Sequence, residues 1–112
     1  MAPSITEIFD KIKEGIAKDP SLVKKVKGII TFKFSDPGAM WTVDLKTKPG
    51  DVYEGKAKKK ANLTLSMKSK DFVDMALGKL NGQQAFMSGK LKMKGNMGLA
   101  MKLGSIMATV SM

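Results

Sequence analysis

The spacing of the apolar residues changes at Gly28, and this change constrains the fold more than any other feature of the sequence. Before Gly28 the apolar residues recur every three or four positions, which predicts amphipathic helices. Residues 4–7 read Ser-Ile-Thr-Glu, the pattern of a capping box that opens a helix. A second, short helix carries Leu22, Val23 and Val26, and Gly28 ends it. The apolar face of the first helix consists of Ile5, Ile8, Phe9, Ile12 and Ile16.

In the next part of the chain the apolar residues alternate with polar ones, which predicts half-buried strands. Asp36-Pro37-Gly38 and Lys48-Pro49-Gly50 are turn signals, so the first strands form hairpins. Apolar residues recur at helical spacing after Ser69, after Asn81 and again from Met97. Ser69 and Asn81 are the predicted N-caps of the helices that follow them. The predicted strands lie near residues 29–34, 41–46, 52–53, 63–67 and 90–94.

The order of the predicted elements is helix, helix, four strands, two helices, strand and helix. Strands joined by short turns run antiparallel, and the apolar face of a sheet has to be covered. We therefore predict an α+β domain with a five-stranded, mainly antiparallel sheet that helices cover on one face. Residues 1–112 are enough for one domain and too few for two.

The chain lacks the side chains on which much enzyme chemistry depends. Histidine and cysteine are both absent, which excludes imidazole bases, thiolate nucleophiles and ordinary zinc sites. We predict that the protein is not an enzyme and has no catalytic residues, metal or cofactor. No apolar run approaches the ~20 residues needed to span a bilayer, and no signal-peptide pattern follows the N-terminus. These features predict an intracellular, cytoplasmic protein.

The net charge is +10, and every cationic side chain is a lysine. This charge favours an anionic partner, such as a membrane surface or a phosphorylated ligand. Nucleic acid is disfavoured as a partner because the chain has no arginine, one tryptophan and one tyrosine for base readout and stacking. The alternative is that the lysines keep the protein soluble and protect an edge strand at residues 90–94. The sequence leaves both interpretations open.

Methionine is abundant, with ten residues in the chain and eight of them from Met67 onward. Flexible, polarizable methionine side chains can form a wall that adapts to ligands of different outline, or they can fill an irregular core. Apolar inner faces with few polar groups suit a ligand pocket of ~300–1,000 Å³. Gln83 is the candidate polar anchor in such a pocket.

Several segments of the sequence are similar to the sterol carrier protein 2 domain family. They are Trp41-Thr42-Val43-Asp44-Leu45-Lys46, Lys58-Lys59-Lys60-Ala61, Leu63-Thr64-Leu65, Ala85-Phe86, Gly89-Lys90-Leu91-Lys92 and the stretch from Gly95 to Leu103. The resemblance covers about 80 residues in the right order. It implies a five-stranded sheet with helices on one side and a hydrophobic ligand tunnel between them. It also implies non-enzymatic binding and intermembrane transfer of fatty acids, fatty acyl-CoA, sterols and phospholipids.

The resemblance also supplies most of the candidate ligand-binding residues. The resemblance implies that ten apolar residues line the tunnel: Phe32, Phe34, Trp41, Val43, Leu65, Met75, Phe86, Met93, Met101 and Leu103. The first helix adds Ile12 and Ile16, the final helix adds Met97 and Ile106, and Gln83 is the polar anchor. The alternative function is an accessory module that presents lipid to a lipid-metabolising enzyme on which it docks.

The expected partners are a lipid ligand and an anionic membrane surface, and the expected state is a monomer that does not bind nucleic acid. Many family members end in a Ser-Lys-Leu-type peroxisomal signal, whereas this chain ends Thr109-Val110-Ser111-Met112. Peroxisomal import through that signal is therefore not expected, although the peroxisome is the alternative location to the cytoplasm.

Overall fold

The computed structural model describes residues 4–19, 21–36, 38–46 and 50–102. Five helices and five strands lie within these ranges. The helices are α1 (Ile5–Lys18), α2 (Ser21–Val26), α3 (Ser69–Ala76), α4 (Gly82–Met87) and α5 (Met97–Ala100). The strands are β1 (Ile29–Phe34), β2 (Met40–Asp44), β3 (Asp51–Glu54), β4 (Leu63–Met67) and β5 (Leu91–Gly95). The predicted order of elements is confirmed.

The five strands form one sheet in the order β3-β2-β1-β4-β5. Three of the four neighbouring pairs are antiparallel, which confirms a mainly antiparallel sheet, and β1 and β4 are parallel. The parallel pair arises because residues 55–62 carry the chain from β3 at one edge to β4 in the centre. The chain therefore enters β4 in the same direction as β1.

The inner face of the sheet packs against the helices through a cluster of aromatic rings centred on Phe9 of α1. The ring of Phe9 stacks on Trp41 at a centroid distance of 4.7 Å and on Phe72 at 4.9 Å. Its edge contacts to Phe32 and Phe34 measure 5.3 and 6.2 Å. Such ring pairs stabilise a core beyond the area that they bury. This half of the interior is filled by side chains.

The outer face of the sheet carries a buried hydroxyl pair under the 55–62 crossover. Thr31 and Thr42 are both buried although they lie on the face opposite the helices. Their hydroxyl oxygens are 3.3 Å apart, and the Thr42 hydroxyl donates to the carbonyl of Gly55 at 2.9 Å. The amide of Lys58 donates to the hydroxyl of Tyr53 at 3.0 Å. These bonds hold the lysine-rich crossover against the sheet.

Two of the three predicted helix caps are confirmed. Ser4 and Glu7 form the capping box, and the side-chain oxygen of Asn81 accepts from the amide of Gln84 at 2.7 Å. The prediction for Ser69 is wrong, because Lys68 occupies the N-cap position and Ser69 is the first helical residue. The Ser69 hydroxyl instead donates to the carbonyl of Asp36 at 2.8 Å, which ties α3 to the β1–β2 turn.

None of the helices in the described ranges is long and apolar enough to cross a membrane. The predicted continuation of the final helix through Leu103 and Ile106 lies outside the described residues.

Candidate functional site

An apolar cavity of about 740 Å³ lies between the β5 side of the sheet and helices α3, α4 and α5. Its volume falls within the range typical of small-molecule pockets, ~300–1,000 Å³. Most of the lining is aliphatic, aromatic or methionine side chain, and none of the lining residues is charged. The lining residues are Met75, Gly78, Leu80, Asn81, Gly82, Gln83, Phe86, Leu91, Met93, Met97, Ala100 and Met101.

Within the described residues, the helices that cover this side of the sheet are short. The 14-residue α1 covers the aromatic half of the inner face, whereas α4 has six residues and α5 has four. The only buried residue of α4 is Ala85, whose methyl group is too small to fill the space above β5. An apolar volume of this size is far larger than the voids of a close-packed protein interior.

The walls of the cavity combine a rigid floor with a flexible rim. Met75 of α3 is buried and Met93 of β5 is half-buried, directly opposite Leu65 on β4. Met97 and Met101 lie at the open side and are 49% and 88% exposed. Unbranched thioether side chains adjust to a ligand at little cost, so this rim suits apolar molecules of differing shape.

The polar groups of the cavity are uncharged amides. The side-chain oxygen of Asn81 already accepts the amide of Gln84 as a helix cap, and the side chain of Gln83 is exposed. Neither side chain is ionisable, and apolar contact discriminates weakly between ligands that differ by a methylene. The cavity is therefore suited to binding apolar molecules and carries no charged group for acid or base chemistry among its lining residues.

Six of the predicted ligand-binding residues lie together around this cavity. They are Met75, Gln83, Phe86, Met93, Met97 and Met101. The sequence analysis missed the turn residues between α3 and α4, for which no periodic signal exists, and two apolar positions. The missed residues are Gly78, Leu80, Asn81, Gly82, Leu91 and Ala100. Leu91 belongs to the apolar inner face that the alternation predicts for β5, although it is not among the candidate ligand-binding residues.

The other predicted residues lie elsewhere in the described structure. Ile12, Ile16, Phe32, Phe34, Val43 and Leu65 are buried in the core cluster. Trp41 is half-buried and stacks on Phe9. None of these seven residues lines the cavity. Phe32, Phe34 and Trp41 are covered by the ring of Phe9 on α1. Leu103 and Ile106 lie outside the described residues.

Gly28 packs against the side chain of Leu99 on α5, the helix that forms one wall of the cavity. Leu99 of α5 is buried, and a Cβ atom at Gly28 would lie 2.5 Å from its Cδ1 and 2.7 Å from its Cδ2. A separation that short is repulsive, so a side chain at position 28 would displace the side chain of Leu99.

We expect Gly28→Val to lower the free energy of unfolding by about 1–3 kcal/mol, because the added side chain overpacks the contact with Leu99. Urea denaturation measures the effect. The double variant Gly28→Val with Leu99→Ala is the control, since the smaller side chain makes room for valine. The double variant should lose less stability than the sum of the two single changes. Additive losses would contradict the role assigned to this contact.

The fold and the cavity together define a class of α+β domains in which a mixed five-stranded sheet and its helices enclose an apolar space. Residues 9–108 match the SCP-2 sterol transfer family, and the chain belongs to this family. Its similarity to the sterol carrier protein 2 domain, predicted from sequence, is confirmed.

Individual relatives agree with this assignment. The chain is 46% identical over 105 residues to the peroxisomal multifunctional enzyme A of Dictyostelium discoideum, covering 91% of this chain and 24% of the relative. It spans about a fifth to a quarter of the length of the other curated relatives that it matches. Among solved structures, apo sterol carrier protein 2 from Yarrowia lipolytica aligns with a TM-score of 0.77 and 36% identity, covering 92% of this chain and 88% of that one. Palmitated sterol carrier protein 2-like 2 from Aedes aegypti aligns with a TM-score of 0.73 and 26% identity, covering 94% and 95%.

Proposed function

We propose that this protein binds single lipid molecules in the cavity above β5 and transfers them between membranes without catalysis. The observation that carries the proposal is the apolar cavity of about 740 Å³, whose lining residues carry no charge. The palmitated relative from Aedes aegypti supports a fatty acyl ligand. Fatty acids, fatty acyl-CoA, sterols and phospholipids are the proposed ligand classes, because the walls select for apolar character and not for one outline.

Burial of the acyl chain supplies most of the proposed affinity. Removing about ten CH₂ groups from water contributes ~0.8 kcal/mol each, or about 8 kcal/mol in total. That amount corresponds to a dissociation constant on the order of 1 μM, before the cost of immobilising the ligand. A carrier benefits from affinity of this order because it has to release its ligand as well as take it up.

We expect the protein to accelerate the movement of a fluorescent fatty acid from donor to acceptor vesicles in proportion to its concentration. The physical reason is that the cavity replaces the aqueous step, in which the acyl chain is exposed to water. Loss of energy transfer between the fatty acid and a quencher in the donor vesicles measures the rate. Heat-unfolded protein at the same concentration is the control. A rate equal to that of vesicles alone would contradict the transfer function.

A second candidate function is that of an accessory module that presents lipid to an enzyme. The observation that favours it is that the chain matches only about a quarter of the length of relatives such as the peroxisomal multifunctional enzyme A. Under this alternative the protein binds lipid but transfers it slowly on its own, and a lipid-metabolising enzyme accelerates release. The same vesicle transfer assay, repeated with and without the enzyme, separates the two functions.

We further propose that the protein acts as a monomer in an intracellular compartment. The mass of one chain is 12.1 kDa, and light scattering during gel filtration measures the mass in solution. The relative named as a peroxisomal enzyme supports the peroxisome as the alternative to the cytoplasm.

A further inference from the structure

Three of the four exposed large apolar side chains of the described structure line the cavity, and the fourth, Met87, follows Phe86 in α4. We name Phe86, Met87, Met97 and Met101 the mouth patch; they are 46%, 78%, 49% and 88% exposed. No other large apolar side chain in the described ranges is exposed to this degree. A contiguous exposed apolar patch on a protein surface marks a site that binds a protein, a membrane or a ligand.

Met87 shows that ligand binding does not explain the whole mouth patch. Phe86, Met97 and Met101 line the cavity, so a ligand would cover part of each of them. Met87 ends α4 and does not line the cavity, yet 78% of its surface is exposed. A bound lipid therefore leaves Met87 in water unless a second surface covers the patch.

The charge of the same part of the chain indicates what that surface is. From Met75 to Lys102 the sequence contains five lysines and no acidic residue, and all five lysines are exposed. Lys79, Lys90 and Lys102 each adjoin a residue that lines the cavity. The nearest acidic side chains along the chain, Asp71 and Asp74, belong to α3, and Asp74 lies with Lys79 beside a separate shallow depression. The segment of chain that carries the mouth patch is therefore positively charged.

We propose that the mouth patch, together with Lys90 and Lys102 next to its cavity in the chain, docks on an anionic phospholipid bilayer. The thioether and phenyl groups enter the interface while the ammonium groups meet the lipid phosphates and carboxylates, which is how amphipathic surfaces bind membranes. The inference rests on the proposed lipid binding, since docking places the open side of the cavity against the bilayer. A lipid then moves between bilayer and cavity without crossing water.

Vesicle flotation tests the proposal with four single variants of the full chain. The vesicles contain phosphatidylcholine with or without about one third phosphatidylserine. We expect Met87→Ser and Lys90→Gln each to weaken binding to the anionic vesicles about fivefold. The matched controls are Met40→Ser on β2 and Lys33→Gln on β1, which lie on the outer face of the sheet, opposite the cavity. These controls should bind as the wild type does.

Fatty acid binding in vesicle-free buffer separates this proposal from the function on which it rests. Met87→Ser should bind a fluorescent fatty acid with unchanged affinity, because Met87 does not line the cavity. Failure of all variants and of the wild type to bind fatty acid would refute the proposed function itself.

Three results would overturn the docking surface alone. The first is equal binding to vesicles with and without phosphatidylserine. The second is a larger loss of vesicle binding for Lys33→Gln than for Lys90→Gln, which would place the docking surface on the outer face of the sheet. The third is self-association that Met87→Ser abolishes without any vesicle binding, which would assign the patch to a second copy of the chain.

Discussion

Phe9→Ala is expected to lower the free energy of unfolding by about 3–5 kcal/mol, a larger loss of stability than Gly28→Val should cause. Phe9 is fully buried and its ring contacts four other rings. Alanine would leave a cavity bordered by Trp41 and Phe72. The surrounding helices and strands cannot move inward far enough to fill this cavity. Because small domains are stable by only ~5–15 kcal/mol, the variant should unfold at much lower denaturant concentration.

Urea denaturation, followed by Trp41 fluorescence and circular dichroism, measures this loss. The matched control is Phe86→Ala, since Phe86 is also a helical phenylalanine but lies half out of the protein at the mouth of the cavity. The control should lose less than about 1.5 kcal/mol. Equal losses for the two variants would contradict the division of the interior into a filled aromatic half and a hollow half.

Met93→Glu is expected to weaken fatty acid binding at least about a hundredfold. Met93 lies on the floor of the cavity, and an acyl chain placed there would strip water from the new carboxylate. Moving an isolated charge from water into an apolar environment costs several kcal/mol of free energy. A hundredfold increase in the dissociation constant corresponds to only about 2.7 kcal/mol, so this cost is large enough to cause it. Displacement of a fluorescent fatty acid from the purified variant measures the affinity.

The fold should survive this change, because β5 is an edge strand and Met93 is only half-buried in the unliganded protein. Met40→Glu is the matched control: Met40 is also a half-buried strand residue, but it lies on the outer face of the sheet. The control should bind fatty acid as tightly as the wild type. Similar losses in both variants would show that the effect comes from net charge and not from the cavity.

The sequence was sufficient to predict the elements because the signals for them are local. The change of apolar period at Gly28 and the capping box at Ser4 depend only on neighbouring residues, and both are confirmed. The parallel pairing of β4 with β1 was not predicted, because it depends on the path of residues 55–62 across the sheet. Hydroxyl contacts such as that of Thr42 with Gly55 fix this path, and they join residues far apart in the chain.

The position of the cavity could be predicted only in part. Alternation shows which face of a strand is apolar, but it does not show whether side chains on another element fill the space in front of that face. Phe32 and Met93 are both predicted by alternation to lie on the apolar inner face of the sheet. Phe9 packs against Phe32, whereas above Met93 the helices contribute Ala85 and short turns. The abundance of methionine after Met67 was the better guide to the hollow half.

The most direct test of the lipid site uses the methionine methyl groups as reporters of ligand position. Protein labelled with ¹³C at these methyls is titrated with palmitate and followed by NMR spectroscopy. We predict saturable shifts at one fatty acid per chain for Met75, Met93 and Met97, which line the cavity, and unchanged signals for Met40 on the outer face. Shifts at Met40 as large as those at Met93, or no saturable shift at the cavity methyls, would contradict the claim that the cavity above β5 is the lipid site.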